Sequence, residues 1–346
     1  MTIGYYVHHQ GHGHLHRAQA FAAAWRSSGP EVVGLSTLPR PRAWDGPWVR
    51  LPRDDRGERP LDVTAGGTLH WAPLTDPGVF SRASVLSGWL HDERPAAVVV
   101  DVSVETALLV RLHGVPVVSF VLPGRRTDPA HLLGFRASSA LVAAWPHHGL
   151  SARTGLVPGL PDDLRDRIRC LGAVSRFDGR PSAARGTIPR SAVLLQGSGG
   201  DALWHGSVAE LERRAPGWSW TVLGGGAPWV SDPAPVLERA AVVVTTAGES
   251  SLADVAALRR PAVVVPTTRP FDEQHTTAAA LAAGPWPVVV AHSTDDAFST
   301  ATLARAAALD GTAWRAWSDG TAAARLLDVV ESVAGGVGGT DRRATA

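Results

Sequence analysis

Residues 241–274 read Ala-Val-Val-Val-Thr-Thr-Ala-Gly-Glu-Ser-Ser-Leu-Ala-Asp-Val-Ala-Ala-Leu-Arg-Arg-Pro-Ala-Val-Val-Val-Pro-Thr-Thr-Arg-Pro-Phe-Asp-Glu-Gln. An apolar run, Ala241–Thr245, meets a glycine turn. A stretch of helical spacing, Ser251–Arg259, leads to a second run, Ala262–Pro266, and a further helix opens at Phe271–Gln274. Continuous β-branched runs of this length suit strands buried on both faces, as in parallel sheets. A strand, a crossover helix and a parallel strand form the unit of a doubly wound α/β fold.

The same alternation recurs along the chain, twice over. Before residue 178 the runs are Ile3–Val7, Val32–Leu35, Ala97–Val100, Val115–Phe120 and Ala140–Ala144; after 190 they are Ala192–Gln196, Ser219–Leu223, Ala241–Thr245, Ala262–Pro266 and Val288–Ala291. Between them, Gln19–Arg26, Glu105–His113, Val208–Ala215 and Ser251–Arg259 have helix-forming composition. The pattern breaks at 178–190, a Pro-, Gly- and Ser-rich stretch that reads as a linker. The expectation is therefore two Rossmann-like domains, 1–178 and 191–334, facing a central cleft, with 335–346 a disordered tail. Pro39–Asp62, irregular and rich in Pro and Arg, reads as a long surface loop.

Length agrees, since 346 residues are about twice a domain of ~150. With 45% hydrophobic and 19% charged residues, there is material for two cores. A formal net charge of +1 lacks the basic surplus of a nucleic-acid binder. All 33 basic residues are Arg, which excludes a Schiff-base lysine and a Walker phosphate loop. A lone cysteine, Cys170, excludes an internal disulfide and a zinc ribbon. No apolar run reaches the ~18–20 residues of a membrane span, and the N-terminus has no apolar leader. The expected compartment is the cytoplasm.

Ligands of open α/β sheets bind at the carboxyl ends of strands, beside helix N-termini. Three such turns carry unusual residues. The first is His8-His9-Gln10-Gly11-His12-Gly13-His14-Leu15-His16-Arg17. Gly11 and Gly13 allow a tight turn and close approach to a ligand. His14, at the helix start, suits a general base, and Arg17 one turn on suits an anion or carboxylate. His8, His9 and His16 read as surface residues. Five histidines within nine positions also suggest a metal site, but on a glycine turn they diverge, without an acid or Cys alongside. No metal is expected.

The second turn is Gln196-Gly197-Ser198-Gly199-Gly200-Asp201, which lacks dinucleotide-fingerprint spacing. The third is the Thr245–Asp254 turn. There Gly248, Glu249, Ser250 and Ser251 offer backbone N–H groups and hydroxyls to a diphosphate. Asp254 suits the vicinal hydroxyls of a ribose, or else is an ordinary helix carboxylate. Glu273 and Gln274 have the acceptors and donors that sugar hydroxyls need.

In this order, residues 241–281 resemble the donor-binding half of the GT-B nucleotide-sugar glycosyltransferases. Within these they are most similar to the family of the lipid II-forming N-acetylglucosaminyltransferase (glycosyltransferase family 28, C-terminal type). The matching pieces are Ala247-Gly248, Asp254, Pro261, Pro266 and Glu273-Gln274. Gly197-Ser198-Gly199-Gly200 resembles that family's diphosphate loop, and Gly11–Arg17 its N-terminal glycine-rich loop. Three positions depart from the pattern: Asp254 replaces a Glu, Arg260 a Gly, and Glu273 the first of two Gln.

The resemblance implies an inverting, metal-independent transfer of a hexose or N-acetylhexosamine from a UDP-sugar to a hydroxyl acceptor. The UDP-sugar is a co-substrate, and no cofactor is implied. Gly197, Ser198, Gly199 and Gly248–Ser251 would hold the departing diphosphate, Asp254 the ribose, and Glu273 with Gln274 the sugar. His14 would be the base, with Asp101 the alternative. Gly11, Gly13, Arg17, Arg125 and Arg126 would face the acceptor, and a lipid acceptor would bring peripheral membrane contact. Other readings are a GT-B nucleotide-sugar hydrolase, because Gly-x-Gly-His-x-x-Arg occurs in both groups, and a non-catalytic nucleotide-sugar-binding protein.

Overall fold

The computed structural model describes residues 1–9, 13–26, 29–55, 60–147, 155–180, 186–197, 202–228 and 230–340, with 337–340 by backbone alone. Of the sequence-derived site residues, Gly11, Ser198 and Gly199 lie outside the described residues, as do 181–185 of the linker and 341–346 of the tail.

The first sheet has seven strands, β1 Thr2–Val7, β2 Glu31–Ser36, β3 Trp48–Arg50, β4 Ala97–Asp101, β5 Val117–Phe120, β6 Ala140–Ala143 and β7 Ile168–Cys170. Their order is β3-β2-β1-β4-β5-β6-β7, and every pairing is parallel. The second sheet has five, β8 Ser191–Leu195, β9 Ser219–Leu223, β10 Val242–Thr246, β11 Ala262–Val265 and β12 Val288–Val290. They run in the order β12-β11-β10-β8-β9, again all parallel.

These are the strands that the β-branched runs predict. Val98, Val99 and Val100 of β4 and Val242, Val243 and Val244 of β10 are wholly buried. Each such side chain contributes about 1.5 kcal/mol or more relative to exposure. Two strands escape the sequence reading. β3 lies inside the expected loop Pro39–Asp62, and β7 ends on Cys170. Both are three-residue sheet-edge strands, too short for an alternation to register.

In each sheet the strand order reverses once, between β1 and β4 and between β8 and β10. Helices leave to opposite faces there, and a crevice opens at the carboxyl ends of the strands. The two crevices face one another. One buried apolar cluster runs from Val121, Leu141 and Trp145 through Phe177 to Leu252, Val255 and Trp314, joining the halves beneath them.

The C-terminus departs from the expected boundary. The final helix, Ala322–Thr340, continues through the glycines that suggested a disordered tail from 335. It packs on the first sheet rather than the second, its Ala322, Leu326, Val329 and Val330 lying in one buried cluster with Ile3, Tyr5 and Phe21. Trp25 Nε1 donates to the Ala323 carbonyl at 2.9 Å. Its apolar stripe was legible, but a stripe does not say which sheet it covers.

Candidate functional site

At the first crevice, β1 and β4 run side by side with Val7 opposite Asp101. Val102, next in the chain, is held at φ 55, a costly conformation for a β-branched residue. That sharp turn ends β4 with Asp101 in the crevice and makes Ser103 the N-cap of the Val104–Leu112 helix. Across from it, the Gly13–Trp25 helix presents His14 and Arg17 on successive turns.

His14 Nδ1 lies 2.9 Å from Asp101 Oδ1. Asp101 Oδ2 accepts from Arg17 Nε at 3.0 Å, and Tyr5 donates to the same oxygen from 3.4 Å. Burial of Asp101 works to raise its pKa, but Arg17 and His14 outweigh it and hold the carboxyl below its ordinary range. The ionised carboxylate therefore accepts a hydrogen bond from His14 Nδ1–H, which leaves the imidazole lone pair on Nε2. The two candidate bases, His14 and Asp101, are thus hydrogen-bonded parts of one unit.

At the second crevice, β10 leads into the Glu249–Ala257 helix, whose N-cap, Gly248, makes no side-chain cap. First-turn N–H groups have no partner within a helix, so this end carries donors that an anion can accept from. Gly197 follows β8 on the other side of the same switch point. Gln274 is buried, with Oε1 accepting from the backbone N–H (2.9 Å) and hydroxyl (3.0 Å) of Thr267. Its Nε2 lies 3.9 Å from where a Cβ on Gly248 would stand, so its amide donor adjoins the Gly248 turn.

The halves meet at close range. A Cβ on Gly13 would fall 2.5 Å from Ser250 Oγ, so this glycine serves interdomain approach. Arg17 Nη1 donates to Glu249 Oε2 at 2.7 Å, and its guanidinium stacks 4.8 Å from the Phe120 ring centroid. Arg17 is thus committed to Asp101 and Glu249 rather than open to an acceptor, which corrects its sequence assignment. Burial raises the Glu249 pKa against the pull of Arg17, and its buried Oε1 has no hydrogen-bond partner among the described residues.

Arg126 is corrected for the same reason. It donates to the Leu122 and Pro123 carbonyls at 3.3 and 3.1 Å and to Glu273 Oε2 at 3.2 Å. One Glu273 oxygen is therefore engaged across the cleft. Arg125 has an exposed side chain, while its backbone N–H donates to the Phe271 carbonyl at 2.7 Å.

The Asp254 carboxylate is taken up by partners within the protein. It is 6% exposed, and its oxygens accept from Ser175 Oγ at 2.7 Å and Arg176 Nε at 3.0 Å. The carboxylate fastens the Glu249–Ala257 helix to the segment leaving the first half. Burial raises its pKa, opposed by Arg176 and Ser175. Asp254→Ala is expected to lower stability by about 1–3 kcal/mol, because Ser175 and Arg176 lose their acceptor. Denaturant unfolding checks this, and nucleotide affinity is expected to stay within about twofold. A large loss of affinity without loss of stability would restore the ribose role.

A cavity of about 430 Å³ adjoins the dyad in the first half. Six of its walls are His8, His70, Trp71, Phe120, His131 and Phe271. The His8 ring meets His14 edge-on at 5.9 Å, which links cavity and base. Glu105 Oε1 accepts the backbone N–H groups of His70 (2.7 Å) and Trp71 (3.0 Å), holding that segment in place. Burial lowers the pKa of His8 to about 3 and of His131 to about 4, so both rings are neutral at pH 7. Sequence reading missed this cavity, because its walls come from five separated segments with no common motif.

His70, Asp128 and His131 place three ligand-type atoms within 4.8 Å of one another. Arg126 Nη1 faces His131 Nε2 at 3.2 Å, which puts the imidazole proton on Nδ1. That proton points at Asp128 Oδ2, 2.5 Å away, while Asp128 also caps the Pro129–Ala137 helix by accepting the His131 N–H at 3.1 Å. The triad acts as a helix cap and cavity wall.

No family model matches the chain, and no curated relative matches it. Solved structures do. A glycosyltransferase of kitacinnamycin aligns at 15% identity over 96% of this chain and 98% of its own, with TM-score 0.63. MurG of Acinetobacter baumannii aligns at 15% identity over 96% and 99%, TM-score 0.58. The spinosyn rhamnosyltransferase SpnG, complexed with thymidine diphosphate, aligns at 14% identity over 99% and 100%, TM-score 0.59. With two parallel sheets meeting at paired switch points, the chain has the GT-B fold that these glycosyltransferases share.

Proposed function

We propose that the protein transfers a hexose or N-acetylhexosamine from a nucleoside-diphosphate sugar, with UDP as the first choice of nucleotide, to a hydroxyl acceptor, inverting the anomeric carbon. The observation that carries this reading is a single juxtaposition. A carboxylate-oriented imidazole, His14 with Asp101 at 2.9 Å, stands across a closed cleft from an uncapped helix N-terminus at Gly248.

The imidazole Nε2 takes the proton of the acceptor hydroxyl as its oxygen attacks the anomeric carbon. The bond to the diphosphate breaks on the opposite face, and the leaving charge falls on the N–H groups of the Glu249–Ser251 turn. Fixed dipoles there do the work of a divalent cation, so transfer is expected to persist in a chelator. Gly197, just past the end of β8, flanks the cradle, and Gln274 with Glu273 addresses the sugar hydroxyls. The cavity beside His14 favours a second substrate over water, and therefore transfer over hydrolysis. An oriented base likewise favours catalysis over mere nucleotide binding.

Thermal unfolding with UDP, TDP and GDP tests the donor half. A nucleotide at 100 times its Kd adds about 2.7 kcal/mol. For each half, that is a rise in Tm of several degrees. UDP or TDP is expected to give that rise. If none of the three shifts Tm at millimolar concentration, the donor-site reading fails.

A further inference from the structure

The cavity beside His14 is lined mainly by aromatic and aliphatic side chains, with Ser103, Glu105, Ser119 and Arg126 among them. His8, His70, Trp71, Phe120, His131 and Phe271 are all flat rings, and the two most buried imidazoles are neutral at pH 7. Its ionised groups are already matched within the protein. Glu105 holds the His70 and Trp71 N–H groups and accepts from Ser103 Oγ at 3.3 Å, while Arg126 is spent on Glu273 and two carbonyls. About 430 Å³ is the size of a small-molecule pocket, not of a polymer or a long lipid chain.

One wall is foreign to the rest. Phe271 belongs to the donor half and reaches over the cavity from beyond β11. It is held there at φ 59, followed by Asp272 at φ 57, two successive left-handed residues without a glycine. Its carbonyl takes the Arg125 N–H, and Gly124 at φ 109 allows that approach, since a Cβ there would stand 2.4 Å from the same oxygen. Arg126 stacks 4.7 Å from the ring centroid, and His131 meets it at 4.7 Å and 90°. The ring is still 37% exposed, which leaves surface for a ligand.

We propose that this cavity seats a flat, uncharged aromatic acceptor bearing a phenolic hydroxyl, and that Phe271 is the residue through which the donor half closes on it. The proposal rests on the glycosyl-transfer reading. Stacked between Phe271 and the His8 end, such a molecule brings its hydroxyl towards His14, and transfer to it follows the balanced steps given above. Because the ligand touches both halves, nucleotide and acceptor each favour the closed cleft and so tighten one another.

Full-length protein is titrated with 2-naphthol, farnesyl monophosphate and cellobiose, each with and without saturating UDP, by calorimetry. The expected result is saturable 2-naphthol binding, tightened about 5-fold or more by UDP. Phe271→Ala is expected to weaken it by about 3- to 10-fold and to abolish the tightening, with UDP affinity unchanged. Trp71→Leu is expected to weaken 2-naphthol similarly but to retain the tightening. Absent 2-naphthol binding, an unaffected Phe271→Ala variant, or preference for farnesyl monophosphate or cellobiose overturns the proposal. Those outcomes with UDP still bound leave the glycosyl-transfer reading standing; 2-naphthol binding with the Phe271 dependence but no UDP binding overturns that reading and the coupling instead.

Discussion

His14→Ala is expected to lower kcat by about 10²- to 10⁴-fold while leaving donor KM nearly unchanged. The split follows from position. His14 lies on the first sheet's side of the cleft, 2.9 Å from Asp101, and the groups proposed to hold the donor lie on the second sheet's side. Removing the imidazole takes away an interaction that matters as the acceptor oxygen loses its proton, not as the nucleotide binds. Any loss of stability should be smaller than for Asp101, because the His14 side chain is only partly buried while Asp101 is wholly so. Nucleotide release measured with an acceptor present, at several donor concentrations, separates the two constants. Full turnover in the variant would remove His14 from the chemistry.

The second large effect is expected at Asp101, whose replacement acts on both stability and rate. Asp101 is wholly buried between Arg17, His14 and Tyr5. In Asp101→Asn the Arg17 guanidinium keeps only Glu249 as a charged partner, and a desolvated cation short of one carboxylate costs about 3 kcal/mol or more. The amide can also present an N–H towards His14 Nδ1, which favours the tautomer with its proton on Nε2. A base in that form accepts nothing from the acceptor, so kcat falls by up to about 10⁴-fold. Acid gives an independent check. The Asp101 carboxyl is held below its ordinary pKa, so its stabilisation is present above the ordinary carboxylate range and is lost as pH falls below it. The wild type should lose this contribution on acidification, and Asp101→Asn should show a correspondingly flatter acid limb. Equal acid limbs in the two proteins would mean that the pairing with Arg17 contributes nothing.

These expectations trace back unevenly to the sequence. The sheets were legible because buried parallel strands need unbroken β-branched runs, and Ala97–Asp101 and Val242–Thr246 have them. The turns at Gly11, Gly197 and Gly248 were legible because a glycine within a few residues of such a run marks a strand-to-helix corner. Which partner each side chain would find was not legible. Asp254 was correctly placed on the helix after Gly248, yet its spacing did not reveal that it faces Ser175 and Arg176 rather than the cleft. Arg17 and Arg126 read as open cations, but in a chain without Lys these arginines tie the halves together through Glu249 and Glu273. The aromatic cavity was invisible, since Trp71, Phe120 and Phe271 become neighbours only after both sheets have folded and closed.

The proposed transfer requires a diphosphate on the Gly248 turn, opposite the His14–Asp101 pair. A crystal structure with UDP or TDP bound decides this. The β-phosphate is expected within hydrogen-bond distance of the N–H groups of residues 249–251, on the cleft side that faces His14. A nucleotide found elsewhere, or one whose phosphates point away from that helix end, would contradict it.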